Sequence, residues 1–174
     1  MIKVWYPAQI KTEETEFYLN EGNSIGSAVK YGLPKSVFNY LDHVKTNTYK
    51  NPKVKNGKFP VLIFSQGLYS KASGYYALLE ELVSHGYNVL NINHTYESTG
   101  ALFPDGRIRF FNTACDQIHN NQNMADRVWF SMEACNKATS AEEKHASIKN
   151  LVRKNYGAEV TKRWSNDISL VIDT

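Results

Sequence analysis

The segment FPVLIFSQGLYSKASGYYALLEELVSHGYNVLNINHTYES, from Phe59 to Ser98, limits the possible folds more than any other part of this chain. Val61–Phe64 is an unbroken β-branched and aromatic run, the pattern of a strand covered on both faces and therefore parallel and central. Tyr75, Leu78, Leu79 and Leu82 recur at helical spacing over Gly74–His85, with Glu80 and Glu81 turned away. Gly86 supplies the left-handed residue that ends such a helix. Tyr87–Ile92 is a second apolar strand. A strand, helix and strand of this length require a right-handed crossover into a parallel pair. Ser65-Gln66-Gly67-Leu68-Tyr69 then forms a loop at the carboxyl end of the first strand, where ligands bind in open α/β sheets. Gly67 lets the chain turn sharply, and the N–H groups of Leu68 and Tyr69 are expected to face a cleft and receive negative charge.

Elsewhere the pattern is less regular. Ile2–Pro7 reads as a short strand closed by Pro7, and Asn56-Gly57 as a turn. Helices are expected near Ser24–Lys30 and Ser36–Leu41, with Pro34 between them as a breaker or first helical residue. Residues 99–156 form a long excursion of loop and helix. Within it, Pro104-Asp105-Gly106 between two apolar arms predicts a hairpin or lid-like loop. Thr113–Lys137 reads as a helix carrying Ile118, Met124, Val128, Trp129 and Met132, and Ala141–Tyr156 as another ended by Gly157. The last helix, Glu159–Thr174, carries a stripe at Trp164, Ile168, Val171 and Ile172. Nothing marks a second domain, so a single partial α/β domain over 1–174 is expected. Both ends look cut through elements, a strand with no lead-in and a helix with no cap. A sheet cut in this way leaves Val61–Phe64 short of a neighbour, and the isolated chain is expected to be aggregation-prone or molten.

Composition removes several function classes. With 174 residues, 42% hydrophobic and 21% charged, the chain is globular rather than disordered. A net charge of +3 is too small and dispersed for nucleic-acid binding, and Lys45, Lys50, Lys53, Lys55 and Lys58 read as a solvated connection. Cys115 and Cys135 have no CxxC spacing and are expected to be free buried thiols. No apolar run reaches the roughly 18 residues of a membrane span, and MIKVWYPA lacks the features of a signal peptide, which leaves the compartment unassigned.

A nucleophile is harder to place. Gly22-Asn23-Ser24-Ile25-Gly26 is a literal G-x-S-x-G, but an elbow needs an apolar central strand directly before it, and FYLNE precedes this one. Ser24 is therefore expected to be a helix N-cap or loop serine. Ser98, Ser131, Ser140, Ser147, Ser165 and Ser169 lack flanking glycines. His85 sits at a helix C-terminus, where the partial negative charge suits an imidazolium. His94, with Glu97, lies at the functional edge of the sheet, while His43, His119 and His145 are scattered. No HExxH or similar ligand pair occurs, nor a G-x-G-x-x-G or P-loop, so neither a metal nor a nucleotide cofactor is expected.

The residues FPVLIFSQGLYS and YYALLEELVSHGYNVLNINHTYES resemble α/β-hydrolases of the platelet-activating-factor acetylhydrolase type, related to predicted dienelactone hydrolases. VWYPA at Val4–Ala8 and RWSNDISLVIDT from Arg163 resemble further segments of that family. The resemblance implies the N-terminal portion of an α/β-hydrolase fold, a mainly parallel sheet flanked by helices. It implies a serine esterase acting on a short acyl lipid or similar small ester, with Leu68 N–H in the oxyanion hole, supported by Gln66 and Gly67. Tyr69 and His94 would shape the pocket, and residues 99–156 would wall it. The family has His where Gln66 stands. In its chain order the nucleophile elbow, the acid and the histidine follow the last helix, so all three would lie beyond Thr174. A chain without them would be inactive alone, and the rival expectation is a truncated or degenerate, non-catalytic hydrolase domain.

Overall fold

The computed structural model describes residues 1–10, 14–114, 122–154 and 156–173. The chain forms two compact units, Met1–Phe111 and Asn112–Thr174. The division falls inside the 99–156 stretch, so the hairpin expected there belongs to the first unit.

The first unit is built on a three-stranded sheet of β1 (Ile2–Trp5), β4 (Val61–Ser65) and β5 (Asn88–Ile92), in the order β1-β5-β4. β4 and β5 run parallel, with Val61 opposite Asn88 and Ser65 opposite Ile92. β1 runs antiparallel to β5, with Ile2 opposite Ile92 and Trp5 opposite Val89. The sheet is thus mixed, and β5 rather than β4 is central. Among the described residues β4 has one strand neighbour, as expected for a strand left short of one, but the expected cover on both faces is corrected: Val61 is exposed and the rest of the strand is half-buried. An unbroken apolar run records which faces can be covered, and does not record which strands lie alongside.

The crossover between β4 and β5 is a 3-10 turn, Ala72–Tyr75, followed by helix α2, Tyr76–Ser84. Of the expected stripe, Leu79 is buried and Tyr75 and Leu82 pack against the core, while Leu78 is exposed and Tyr76 is buried in its place, which corrects that one position. Trp5, Tyr76, Leu79 and Val89 form the core, with Trp5 edge-on to Tyr76 at 4.8 Å. The C-terminus of α2 is closed as expected. Gly86, at φ 88°, donates to Val83 O, and Tyr87 N–H reaches Leu82 O, which together make a Schellman closure.

Burial raises the Tyr76 hydroxyl above its ordinary 10.0; the Thr48 and Thr46 hydroxyls oppose this, and Glu16 and Glu80 add to it. The folded chain therefore holds this proton to higher pH than the unfolded chain. The resulting contribution is complete below pH 10 and is lost as pH rises through the folded value. In urea unfolding, Tyr76→Phe should lose less stability than the parent above about pH 10. Parallel losses in the two proteins would refute the assignment.

Helix α1, Glu21–Tyr31, begins three residues before the expected Ser24. Its N-cap is Asn20, whose side chain accepts from Asn23 N–H at 2.9 Å, so Ser24 is neither a cap nor a loop residue. The expected Ser36–Leu41 helix is a 3-10 helix over Lys35–His43, with Pro34 at its N-cap. Two short strands, β2 (Ala8–Gln9) and β3 (Lys53–Val54), pair antiparallel. The hairpin is β6 (Gly100–Leu102) and β7 (Ile108–Phe110). Its turn is closed by Gly106 N–H to Phe103 O and Phe103 N–H to Arg107 O, with Gly106 at φ 81°.

The second unit contains helices α3 (Gln122–Lys137), α4 (Ala141–Lys154) and α5 (Tyr156–Ile172). α3 and α4 pack against each other across a capping box. Ser140 Oγ accepts from Glu143 N–H, and the Glu143 carboxylate accepts from Thr139 and Ser140 N–H. Those hydrogen bonds hold the Glu143 carboxyl below the usual range. Gly157 lies inside the first turn of α5 instead of ending a helix, because nothing there requires a left-handed residue. Trp129 and Met132 are exposed, while Val160 is buried and Trp164, Ile168 and Val171 are half-buried. Cys135 is free and half-buried; Cys115, Ile118 and His119 lie outside the described residues. Among the described residues no helix is long and apolar enough to cross a membrane.

Candidate functional site

The carboxyl ends of β4 and β5 carry two loops, 66–70 and 93–99, which the parallel register places side by side. Ser65 ends β4 opposite Ile92, so His94 lies just past the same edge. Ser65 Oγ is 2.9 Å from His94 Nε2, and His94 is 1% exposed. Beyond this pair the loops are tied by their backbones. Tyr69 N–H donates to Glu97 O at 3.2 Å, and Thr99 N–H donates to Ser70 O at 3.0 Å. Gly67 N–H donates to the Tyr75 hydroxyl at 3.3 Å. A Cβ on Gly67 would stand 3.3 Å from that oxygen, so the missing side chain serves this approach.

These bonds sort the N–H groups of the loop. The expectation that Tyr69 N–H faces a cleft is corrected, because the Glu97 carbonyl takes it. Leu68 N–H has no acceptor among the described residues. The left-handed residue of the turn is Tyr69, at φ 63°, and not Gly67. A non-glycine residue held there persists only where its surroundings over-determine it. Here the Glu97 bond and ring contact with Phe111, at 4.8 Å, supply that constraint.

A depression of about 220 Å³ opens beside the loop, lined in part by Leu68, Tyr69, Lys71 and Thr99. Lys30, in the last turn of α1, donates to Tyr69 O at 2.8 Å. Lys71 is held below the ordinary lysine value, first by burial and second by the charge of Lys30. Two lysines, Lys30 and Lys71, thus stand close enough to the loop and to each other to interact electrostatically. Gln66 is 2% exposed, and neither its Oε1 nor its Nε2 has a partner among the described residues. Tyr69 lines the depression and His94 does not.

Other candidates lie apart from this edge. Ser24 is in the first turn of α1, and its flanking glycines serve packing. A Cβ on Gly26 would meet Thr99 O at 2.2 Å, and one on Gly22 would meet Leu102 Cβ at 2.8 Å. His85 caps α2, with Nδ1 2.9 Å from Glu81 O. Among the described residues no three His, Cys, Asp or Glu side chains gather as a metal site. The Ser65–His94 contact and the Tyr75 hydroxyl were missed in the sequence. A signal for the first existed, since Ser65 and His94 each stand at the carboxyl end of one strand of the parallel pair.

The fold has a solved counterpart in the ferulic acid esterase from Streptomyces cinnamoneus, which is similar over 88% of this chain and 48% of its own. The TM-score is 0.55 at 22% identity, a likeness of fold, and the present chain spans about half the length of that structure. No curated protein is significantly similar in sequence. Residues 1–160 match the family described as platelet-activating factor acetylhydrolase, isoform II. With a parallel β4–β5 pair, its connecting helix and a loop offering one open N–H, the chain belongs to that α/β-hydrolase family.

Proposed function

We propose that this chain supplies the oxyanion-stabilising half of a serine esterase acting on a carboxylic ester, either a short acyl group on a lipid or a small ester. The observation that carries this reading is the unclaimed Leu68 N–H, set between Gly67 and Tyr69, whose own N–H groups are both taken. In ester hydrolysis a serine oxygen attacks the carbonyl carbon and its proton passes to a histidine. The former carbonyl oxygen becomes an oxyanion, which a fixed N–H stabilises before the alcohol leaves with the proton from the histidine. Water then cleaves the acyl-serine through a second oxyanion, freeing the acid and the serine. Lys30 and Lys71 add favourable potential for that charge. Tyr69 and the hairpin around Phe111 would bound the acyl pocket. No described serine stands in an elbow, so the nucleophile, acid and base are assigned to residues outside these 174. The same observation favours the second reading, a non-catalytic hydrolase domain.

Labelling with a fluorophosphonate separates the two. The 174-residue chain should not be labelled. The product of the complete coding region should hydrolyse p-nitrophenyl acetate and take the label on a serine outside these residues. Hydrolysis without such labelling, or labelling at Ser24, would sink the proposal. Absence of both activities would favour the non-catalytic reading.

A further inference from the structure

Ser65 and His94 form a hydroxyl–imidazole contact at the functional edge. Its geometry is that of a nucleophile and its base. Its setting differs. Ser65 sits in the regular β4–β5 ladder, and His94 is buried. One further tie of this region involves the backbone of the same histidine. Glu97 N–H donates to His94 O at 3.1 Å, forming a turn that presents Glu97 O to Tyr69 N–H. Within that turn Tyr96 is left-handed, at φ 71°, like Tyr69 across from it. The residues on either side of Leu68 are thus held from one place: Ser65 by the imidazole, and Tyr69 by the turn that the His94 carbonyl closes. Thr99 N–H to Ser70 O locks the far end.

We propose that His94 is a positioning residue, fixing through Ser65 and through the turn to Glu97 the loop that aims Leu68 N–H. The inference rests on the oxyanion reading, since it concerns the same N–H. A donor worth a hundredfold when aimed at the oxyanion is worth much less when its loop wanders, because preorganisation is the source of its effect.

The test uses His94→Leu, which removes the imidazole, and His94→Gln, whose amide can reach toward Ser65. Amide exchange is measured on the full chain, and steady-state kinetics on the product of the complete coding region. In His94→Leu, exchange at 68–70 should rise about tenfold or more while β4 and β5 are unchanged. There kcat should fall by about tenfold to a hundredfold with KM within about twofold. His94→Gln should recover much of both. Should His94→Leu fail to fold, Ser65→Ala removes one atom from the other side of the contact and should give the same pattern. The proposal is overturned by unchanged exchange at 68–70, by an equal rise across both strands, or by fluorophosphonate labelling of Ser65. Loss of loop protection in a protein whose parent hydrolyses no ester supports the positioning role and removes the esterase reading. Normal hydrolysis in His94→Leu does the reverse.

Discussion

Gly26→Val should cost this protein about 3 kcal/mol, a fall of roughly 6–12 °C in Tm for a chain of this size. A Cβ at that position would lie 2.2 Å from Thr99 O, 2.8 Å from Thr99 C and 2.9 Å from the Gly100 Cα. All three are backbone atoms, so no side-chain rotation relieves them; helix α1 must lift from the β6–β7 hairpin instead. Gly100 faces back at the same contact, where a Cβ would meet Gly22 O at 2.3 Å. Alanine at 26 should cost less, because about 1 kcal/mol of helix propensity regained over glycine offsets part of the overpacking. Ser24→Ala should change stability by less than about 0.5 kcal/mol, as half-buried positions without a special role do. Thermal unfolding of the three variants checks the order. An unchanged Tm in Gly26→Val would mean that the helix and hairpin are not in contact. The glycines of the literal G-x-S-x-G would then be without a reason.

That motif shows how far the sequence could be read. Its rejection as an elbow followed from local physics, since FYLNE is not a buried strand, and the structure supplies the positive reason: two glycines let a helix lie against a hairpin. The strand–helix–strand unit was legible because its signals are local, an apolar run, a helical stripe and Gly86. Within the stripe only Leu78 was misplaced, because a 3-10 turn at Ala72–Tyr75 delays the helix and turns Tyr76 inward, and 3-10 and α starts share the same residue types. The antiparallel placement of β1 beside β5 was not legible, because strand order is a property of pairing and not of any one strand. At the candidate site, the loop and Leu68 were visible from the glycine after a buried strand. The capture of Tyr69 N–H by Glu97 O was not, because it joins loops 28 residues apart through backbone atoms that carry no sequence signature. Gly157 was misread because a glycine after an apolar stripe reads as a stop, while here it starts the next helix.

The largest functional effect is expected from the smallest chemical change at the loop. Leu68→Pro removes one N–H, and in the product of the complete coding region it should lower kcat a hundredfold or more, about 3 kcal/mol of transition-state stabilisation. KM should move little, because the ground-state carbonyl asks less of the donor than the oxyanion does. Leu68→Ala keeps the N–H and loses only a half-buried side chain, so its kcat should stay within about fivefold of the parent. That contrast distinguishes a backbone donor from a hydrophobic wall. Proline also restricts Gly67 before it, so the Gly67 bond to the Tyr75 hydroxyl must be shown intact by amide exchange. If Leu68→Ala were as damaging as Leu68→Pro, the side chain and not the N–H would be the functional group. If neither mattered in an active enzyme, the oxyanion would be received elsewhere. The neighbouring N–H groups of Gly67 and Tyr69 could take over only by giving up their bonds to the Tyr75 hydroxyl and Glu97 O. Of these three consecutive backbone N–H groups only that of Leu68 is open, and its loss should therefore not be compensated by its two backbone neighbours.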